Sequence, residues 1–424
     1  MNSNQGTNDS RWERWGTVAF LVYCVSTVFM IFCSTAAVRF WPHPWGPVSI
    51  LIACFAPLML VLVWKIPGWI TFKELRKELL FIPIIVILGI LNIVFSECRQ
   101  ATLKSMTLFL ISGIGIFGVT SCLLNTKVRQ TFFLWLCLVI LLTLCVYGFL
   151  EYYNNKFIYL FSYHPGYTKS SIYLFSYNPL PAGALLILLF VGPFLLFLIS
   201  SRWLRFFEIS AVVFAIVLIV VVIGKRGPVL GLLVIVLLLG LLIPRRKIWI
   251  IPLIGIILVA AGYKVRNHLP PKLTMNHITS NSTLYRLENI NLACHIFVKK
   301  PIFGIGLHAP IGKYLKDHQR KFAKNPGYLK YVNRDKTFEN TWLCCLVGMG
   351  GLFSIIYFAL IIYLLRNLFR RTKDRSKQRL QAVLLLIPLI AFVINSMTHD
   401  TIVYPHLNWI FHSLFGMMAN FNEI

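Results

Sequence analysis

Apolar residues in this chain come in runs of about 20, separated by short polar stretches, and a run of that length crosses a hydrocarbon core of about 30 Å. Windows of about 19 residues predict membrane helices over 15–38, 46–64, 79–95, 106–124, 131–150, 179–200, 207–223, 228–243, 247–263, 340–365, 380–396 and 402–420. The pattern therefore predicts an all-α polytopic membrane protein with about twelve transmembrane helices. It divides the chain into an N-terminal set of helices over 1–263, one large loop over 264–339, and a C-terminal set over 340–424. The first span follows a polar start, Met1-Asn2-Ser3-Asn4-Gln5, without a small-residue cleavage pattern, and is expected to stay as an anchor.

Within the large loop, Leu284, Leu287, Ile290, Ala293, Cys294 and Phe297 recur at steps of three and four. That spacing predicts an amphipathic helix from Ser282 to Val298, capped by Ser282 or Thr283 and ended by Pro301, Gly304 and Gly306.

Composition excludes a soluble protein: 58% of the 424 residues are hydrophobic and 13% charged. The net charge is +27, and its distribution matters more than its size. Alternate short loops carry 20 Lys and Arg, against seven in the other short loops. This bias puts the first set, and with it both termini, in the cytoplasm. The remaining 14 lie in the 264–339 loop beside four acids, on the external side. Long loops escape the orientation rule, so this excess has two readings: a basic surface lying on anionic headgroups, or arginines that bind an anionic substrate.

Eight of the ten cysteines fall in apolar runs, where Cys acts as a small hydrophobe. Cys98 and Cys294 lie in polar segments, at a spacing that indicates neither zinc nor redox chemistry and leaves their pairing open. His268, His277, His295, His308 and His318 are scattered through the long loop, so no metal site and no cofactor are expected.

Three places can carry chemistry. Lys225 and Arg226, in Gly224-Lys225-Arg226-Gly227-Pro228, stand between two apolar runs at the external boundary, where the inside-positive rule disfavours them. Gly227-Pro228 would start a helix with free N–H groups facing outward, which suits phosphate or pyrophosphate; snorkelling to headgroups is the plain alternative. Arg286 sits on the loop helix, either as a second anion ligand or as a solvated charge. Glu339, followed by Asn340, stands at the mouth of the tenth span, either as a general base or as part of a helix cap. Asp400, the one acid of the last external loop, can orient an arginine or sugar hydroxyls, or balance the basic loop.

These positions fall in a recognisable order. The chain resembles the O-antigen ligase and O-antigen polymerase superfamily, bacterial membrane glycosyltransferases of the GT-C type, over roughly residues 220 to 420. Lys225-Arg226-Gly227 stands where that family has a short Arg stretch opening a mid-chain helix. Ser282-Thr283-Leu284-Tyr285-Arg286 follows, then Lys300-Pro301-Ile302-Phe303-Gly304-Ile305-Gly306, the most specific match. Glu339-Asn340-Thr341-Trp342-Leu343, with Gly350 ten residues after the Asn, matches the close of the family's loop.

The resemblance implies transfer of a glycan from an undecaprenyl-pyrophosphate carrier to a hydroxyl of lipid A-core or of a growing glycan, at the periplasmic face of the bacterial inner membrane. It implies no metal, cofactor or nucleic acid. Arg226 and Arg286 would neutralise the leaving pyrophosphate, with Lys225, Asn340 and Asp400 binding substrate. The family's ligases place a histidine as general base where this chain has Glu339. A transporter or lipid-linked glycan flippase fits the hydropathy equally well, but would show two-fold internal repeats and ionisable residues near the bilayer midplane; neither is evident.

Overall fold

The computed structural model describes residues 16–32, 51–56, 58, 77–154, 179–223, 226–242, 280–321, 338, 340–371, 377–402 and 404–420. These residues are 87% helical and contain no strand. The protein is a helical membrane protein, and four helices are long and apolar enough to cross a bilayer: Arg99–Leu123 (α3), Lys127–Glu151 within α4 (Lys127–Asn154), Arg202–Val220 within α7 (Arg202–Ile223), and Thr341–Arg371 (α11). Five shorter apolar helices accompany them: Gly16–Phe32 (α1), Phe81–Phe95 (α2), Leu180–Leu196, Gly227–Leu242 within α8 (Arg226–Leu242), and Arg379–Asn395 within α12 (Lys377–Asn395). The fourth of the expected windows, 106–124, is longer than predicted because the polar turn Arg99–Ser105 is already helical. The expected count of about twelve spans is thus not reached by length and composition among the described residues, and the windows at 247–263 and most of 46–64 lie outside them.

The Leu180–Leu196 stretch is two helices, α5 (Pro179–Leu189) and α6 (Val191–Leu196), with Phe190 between them. Gly192 sets the closeness of α6 to α4: a methyl group there would stand 2.8 Å from the Leu134 carbonyl oxygen.

The last helix, α13 (Pro405–Ala419), is central, with every residue from Pro405 to Met418 buried. Its mixed sequence holds because Asn408, Trp409, His412 and Ser413 have interhelical or backbone partners, as a low-dielectric interior requires. Trp409 donates its ring N–H to Thr27 at 3.0 Å, Ser413 accepts from Tyr23 at 2.7 Å, and His412 meets Tyr357 Oη at 3.2 Å. Gly113 and Gly416 allow α13 to lie close against α3, where a methyl on Gly416 would fall 2.0 Å from Thr120 Oγ1.

The loop helix forms as α9 (Ser280–Lys299), which starts two residues before the expected cap, so Ser282 and Thr283 are inside it. The buried face also differs from the expected one. Glu288, Asn289, Leu292, Ala293 and Ile296 are buried, whereas Leu287, Ile290 and Cys294 are exposed. Apolar residues lie on both faces of α9, so periodicity alone could not choose. The choice is made by docking on α10 (Gly312–Lys321) and on Cys344 and Val347 at the start of α11. Cys98 packs on this small cluster, and neither Cys98 nor Cys294 is in a disulfide.

Candidate functional site

Three helices carry a π-helical segment: Leu110–Gly115 in α3, Leu218–Ile223 in α7 and Cys344–Met349 in α11. Such widened turns leave carbonyls free to bond outside the helix. In α11 these carbonyls are met by the Pro301–Gly306 stretch. Ile305 N–H donates to Val347 O at 3.0 Å and Gly306 N–H to Gly348 O at 2.9 Å; Gly351 N–H returns a bond to Pro301 O at 2.7 Å. The amide of Asn92 on α2 ties both strands of this exchange, donating to Phe303 O and Gly348 O at 2.7 and 2.8 Å. Gly304, Gly306 and Gly350 all have positive φ, as this close backbone crossing demands. The most specific sequence motif of the chain is therefore a clasp between the loop and α11.

The clasp delivers His308, which has φ 59°. His308 Nε2 lies 2.8 Å from Asp400 Oδ2. Asp400 belongs to the turn between α12 and α13, and its other oxygen accepts the Ile402 N–H at 3.0 Å. Cys344 completes the group, donating its thiol to the Phe338 carbonyl at 2.9 Å and standing 3.4 Å from Asp400 Oδ2.

The same turn receives two helix N-termini. Asn340 caps α11, accepting from the Trp342 and Leu343 N–H groups at 2.9 and 3.2 Å while its amide donates to Met397 O at 2.8 Å. Thr341 N–H donates to Ser396 O at 3.1 Å, and its hydroxyl pairs with Thr401 at 2.8 Å. On the other side α8 begins at Arg226, as the Gly-Pro signal indicates. Gly227 is seated so closely on the turn that a methyl group would meet Thr398 Oγ1 at 2.1 Å and Asn395 Oδ1 at 2.8 Å. One corner thus gathers the starts of α8 and α11, the Asp400 turn and His308.

Of the residues expected to carry chemistry, Lys225, Glu339 and the side chain of Arg226 lie outside the described residues. Phe338 and Asn340 are both bonded at this corner. Arg286 is exposed on α9 and makes no hydrogen bond or ion pair among the described residues. Asn340 caps the helix through a side chain that serves three backbone groups. Asp400 has both oxygens engaged within the protein, one of them by His308. His308 itself was only one of five scattered histidines in the sequence; its position two residues after Gly-Ile-Gly was the available signal.

His308, Cys344 and Asp400 also bring three metal-type donor atoms within 4.8 Å of one another. In the structure the three side chains are joined by short polar contacts, with the sulfur of Cys344 2.9 and 3.4 Å from the Phe338 and Asp400 oxygens.

His399, next to Asp400, is buried and its Nε2 has no partner. Burial lowers its pKa to about 4, against the opposing pull of Asp400. Unfolded, this imidazole binds a proton near pH 6.5, and folded only near 4, so the unfolded state gains relative stability as pH falls through that window. Wild-type protein is expected to lose on the order of 3 kcal/mol between pH 6.5 and 4 on this account. His399→Gln should flatten the fall of thermal stability across the window; equal slopes in the two proteins would refute the assignment.

Beyond the corner, α9 and α10 are joined by polar contacts. Tyr314 bonds Glu97 in the α2–α3 turn, and burial followed by that bond raises its pKa. Lys299 bonds Asp317, and His318 approaches Glu288 at 3.7 Å.

No curated protein matches the chain. Residues 210–352 match the family model Wzy_C, described as O-antigen ligase, a stretch running from α7 through the clasp to the first regular turn of α11. With the helical membrane architecture, this match supports membership of the chain in the O-antigen ligase and polymerase family.

Proposed function

We propose that the protein transfers a glycan from an undecaprenyl-pyrophosphate carrier to an acceptor hydroxyl at the external face of the inner membrane. The observation that supports this reading is the seating of Gly227 on the Thr398 turn, which brings the start of α8 to the corner where Asn340 caps α11. Helix N-termini and arginine suit the charge that develops on a departing pyrophosphate. In this reading Arg226 and Arg286, with Lys225, balance that charge. Glu339 takes the proton of the attacking hydroxyl, and Asn340 and Asp400 act by fixing the corner. The reaction inverts the anomeric carbon in one displacement.

The family match supports O-antigen ligase or polymerase chemistry in general. Lipopolysaccharide from a deletion strain separates the two: loss of all long chains from lipid A-core marks a ligase, a single repeat on the core a polymerase. Normal core banding with lost free polymer marks an exopolysaccharide pathway. At the residue level, Glu339→Gln is expected to lower transfer from a lipid-linked donor about 10²-fold or more, with the protein still folded in the membrane. Wild-type transfer rates in Glu339→Gln would remove Glu339 from the reaction.

A further inference from the structure

Three segments far apart in the chain converge on one carboxylate oxygen. His308 comes from the loop, Cys344 from α11 and Asp400 from the turn between α12 and α13, so Asp400 meets partners 92 and 56 positions away. That separation leaves no short ligand spacing for the sequence to show. Asp400 Oδ2 lies 2.8 Å from His308 Nε2 and 3.4 Å from Cys344 Sγ. Nitrogen, sulfur and oxygen all stand within 4.8 Å of one another, so one ion can touch all three. Four-coordinate zinc holds N and O at about 2.0–2.2 Å and S at about 2.3 Å, which sets its ligands roughly 3.3–3.7 Å apart. The S–O pair is already at that spacing, and the N–O pair reaches it by opening roughly 0.5 Å.

The donors are held from outside the group. Asp400 keeps its second oxygen on the Ile402 N–H at 3.0 Å, so Oδ2 alone faces the other two, as in a one-oxygen ligand with its outer partner in place. His308 is the single non-glycine residue with positive φ among those described, and a backbone of this kind persists where surrounding structure enforces it. The Gly304–Gly306 clasp enforces it here, and the Ala309 N–H closes the turn on Gly306 O at 3.0 Å. Cys344 is buried, whereas the side chains of His308 and Asp400 are 15% and 10% exposed, which opens the group to water on one side. Imidazole, sulfur and carboxylate together are the ligand set of zinc; magnesium and calcium take oxygen.

We propose that His308 Nε2, Cys344 Sγ and Asp400 Oδ2 bind a divalent cation of the zinc class, with water in the fourth position. As the sulfur–metal bond forms, the thiol proton of Cys344 leaves to solvent. The neutral imidazole bonds through the Nε2 lone pair and carries its proton on Nδ1. Thiolate and carboxylate then balance the two charges of the ion, as a partly buried site requires. Three protein ligands and a water make an open site rather than a closed structural one. The bound ion ties the loop, α11 and the α12–α13 turn together. The site does not depend on the transfer reading and stands or falls without it.

The test uses full-length protein in detergent, without a histidine tag, stripped by chelator and returned to Zn2+ or Co2+ alone. Wild type is expected to retain one zinc per chain and to melt at a higher temperature with it, because the ligands are assembled only in the folded chain. With Co2+ it should give the near-ultraviolet band of a sulfur–cobalt bond, which Cys344→Ser should lose. Cys294→Ser, a change at an exposed cysteine of α9, should keep the band. His308→Asn, which tolerates the positive φ, and Asp400→Asn are each expected to weaken zinc binding about 10²-fold or more. If Cys344→Ser does not fold, the affinities of these two variants decide. Wild type without stoichiometric zinc, a sulfur–cobalt band that survives in Cys344→Ser, or unchanged zinc affinity in His308→Asn and Asp400→Asn overturns the site.

Discussion

Adding one methyl group at Gly350 is expected to break the clasp that shapes the candidate site. Gly350 has φ 83° and ψ 170°, a region in practice open only to glycine. The new methyl would also stand 2.2 Å from the Ile302 carbonyl oxygen and 2.5 Å from the Gly304 nitrogen. Both neighbours are backbone, tied by the Gly351-to-Pro301 and Leu352-to-Ile302 bonds, so neither can rotate away. Strain and overlap together should cost on the order of 3 kcal/mol or more. Gly348→Ala is the matched control, since its methyl meets Leu307 Cα at 3.1 Å and no positive φ is involved. The expected result is a large drop in thermal stability and in recovered folded protein for Gly350→Ala and a small one for Gly348→Ala. Equal melting of the two variants would show that the loop can move away from α11.

Arg226→Ala is expected to lower glycan transfer about 10²- to 10³-fold, the loss typical of removing one preorganised donor from a developing anion. The helix start is fixed independently of the arginine, by Gly227 against Thr398 and by the Pro228 ring, which would lie 2.3 Å from a methyl on Gly183. Removing the side chain should therefore leave expression and melting unchanged. Arg226→Lys retains charge but not the bidentate fork, and should fall between the two. Arg286→Ala should disable transfer as well, although α9 presents this residue to solvent. Full activity in both alanine variants would sink the pyrophosphate role.

Helix positions among the described residues were legible because bilayer-length apolar runs and an internally bonded backbone leave few alternatives. The start of α8 was legible for a local reason: Gly-Pro gives a helix start by its own φ preferences. Asn340 as cap was likewise one of two readings available from sequence, and the backbone geometry of α11 selects it. The face of α9 was not legible, because apolar side chains lie all round it and only docking on α10 and α11 decides which are covered.

Sequence by itself therefore determined a helical membrane protein and the segments that carry the family pattern. Each rests on interactions within about one helix turn or on a run of like residues. Tertiary structure decided that Gly304, Gly306 and Gly350 form a backbone clasp across a π-helical turn. It also decided that His308 reaches Asp400, and that the N-termini of α8 and α11 share one turn. These contacts join residues tens to hundreds of positions apart, and a single sequence has no periodicity that records them.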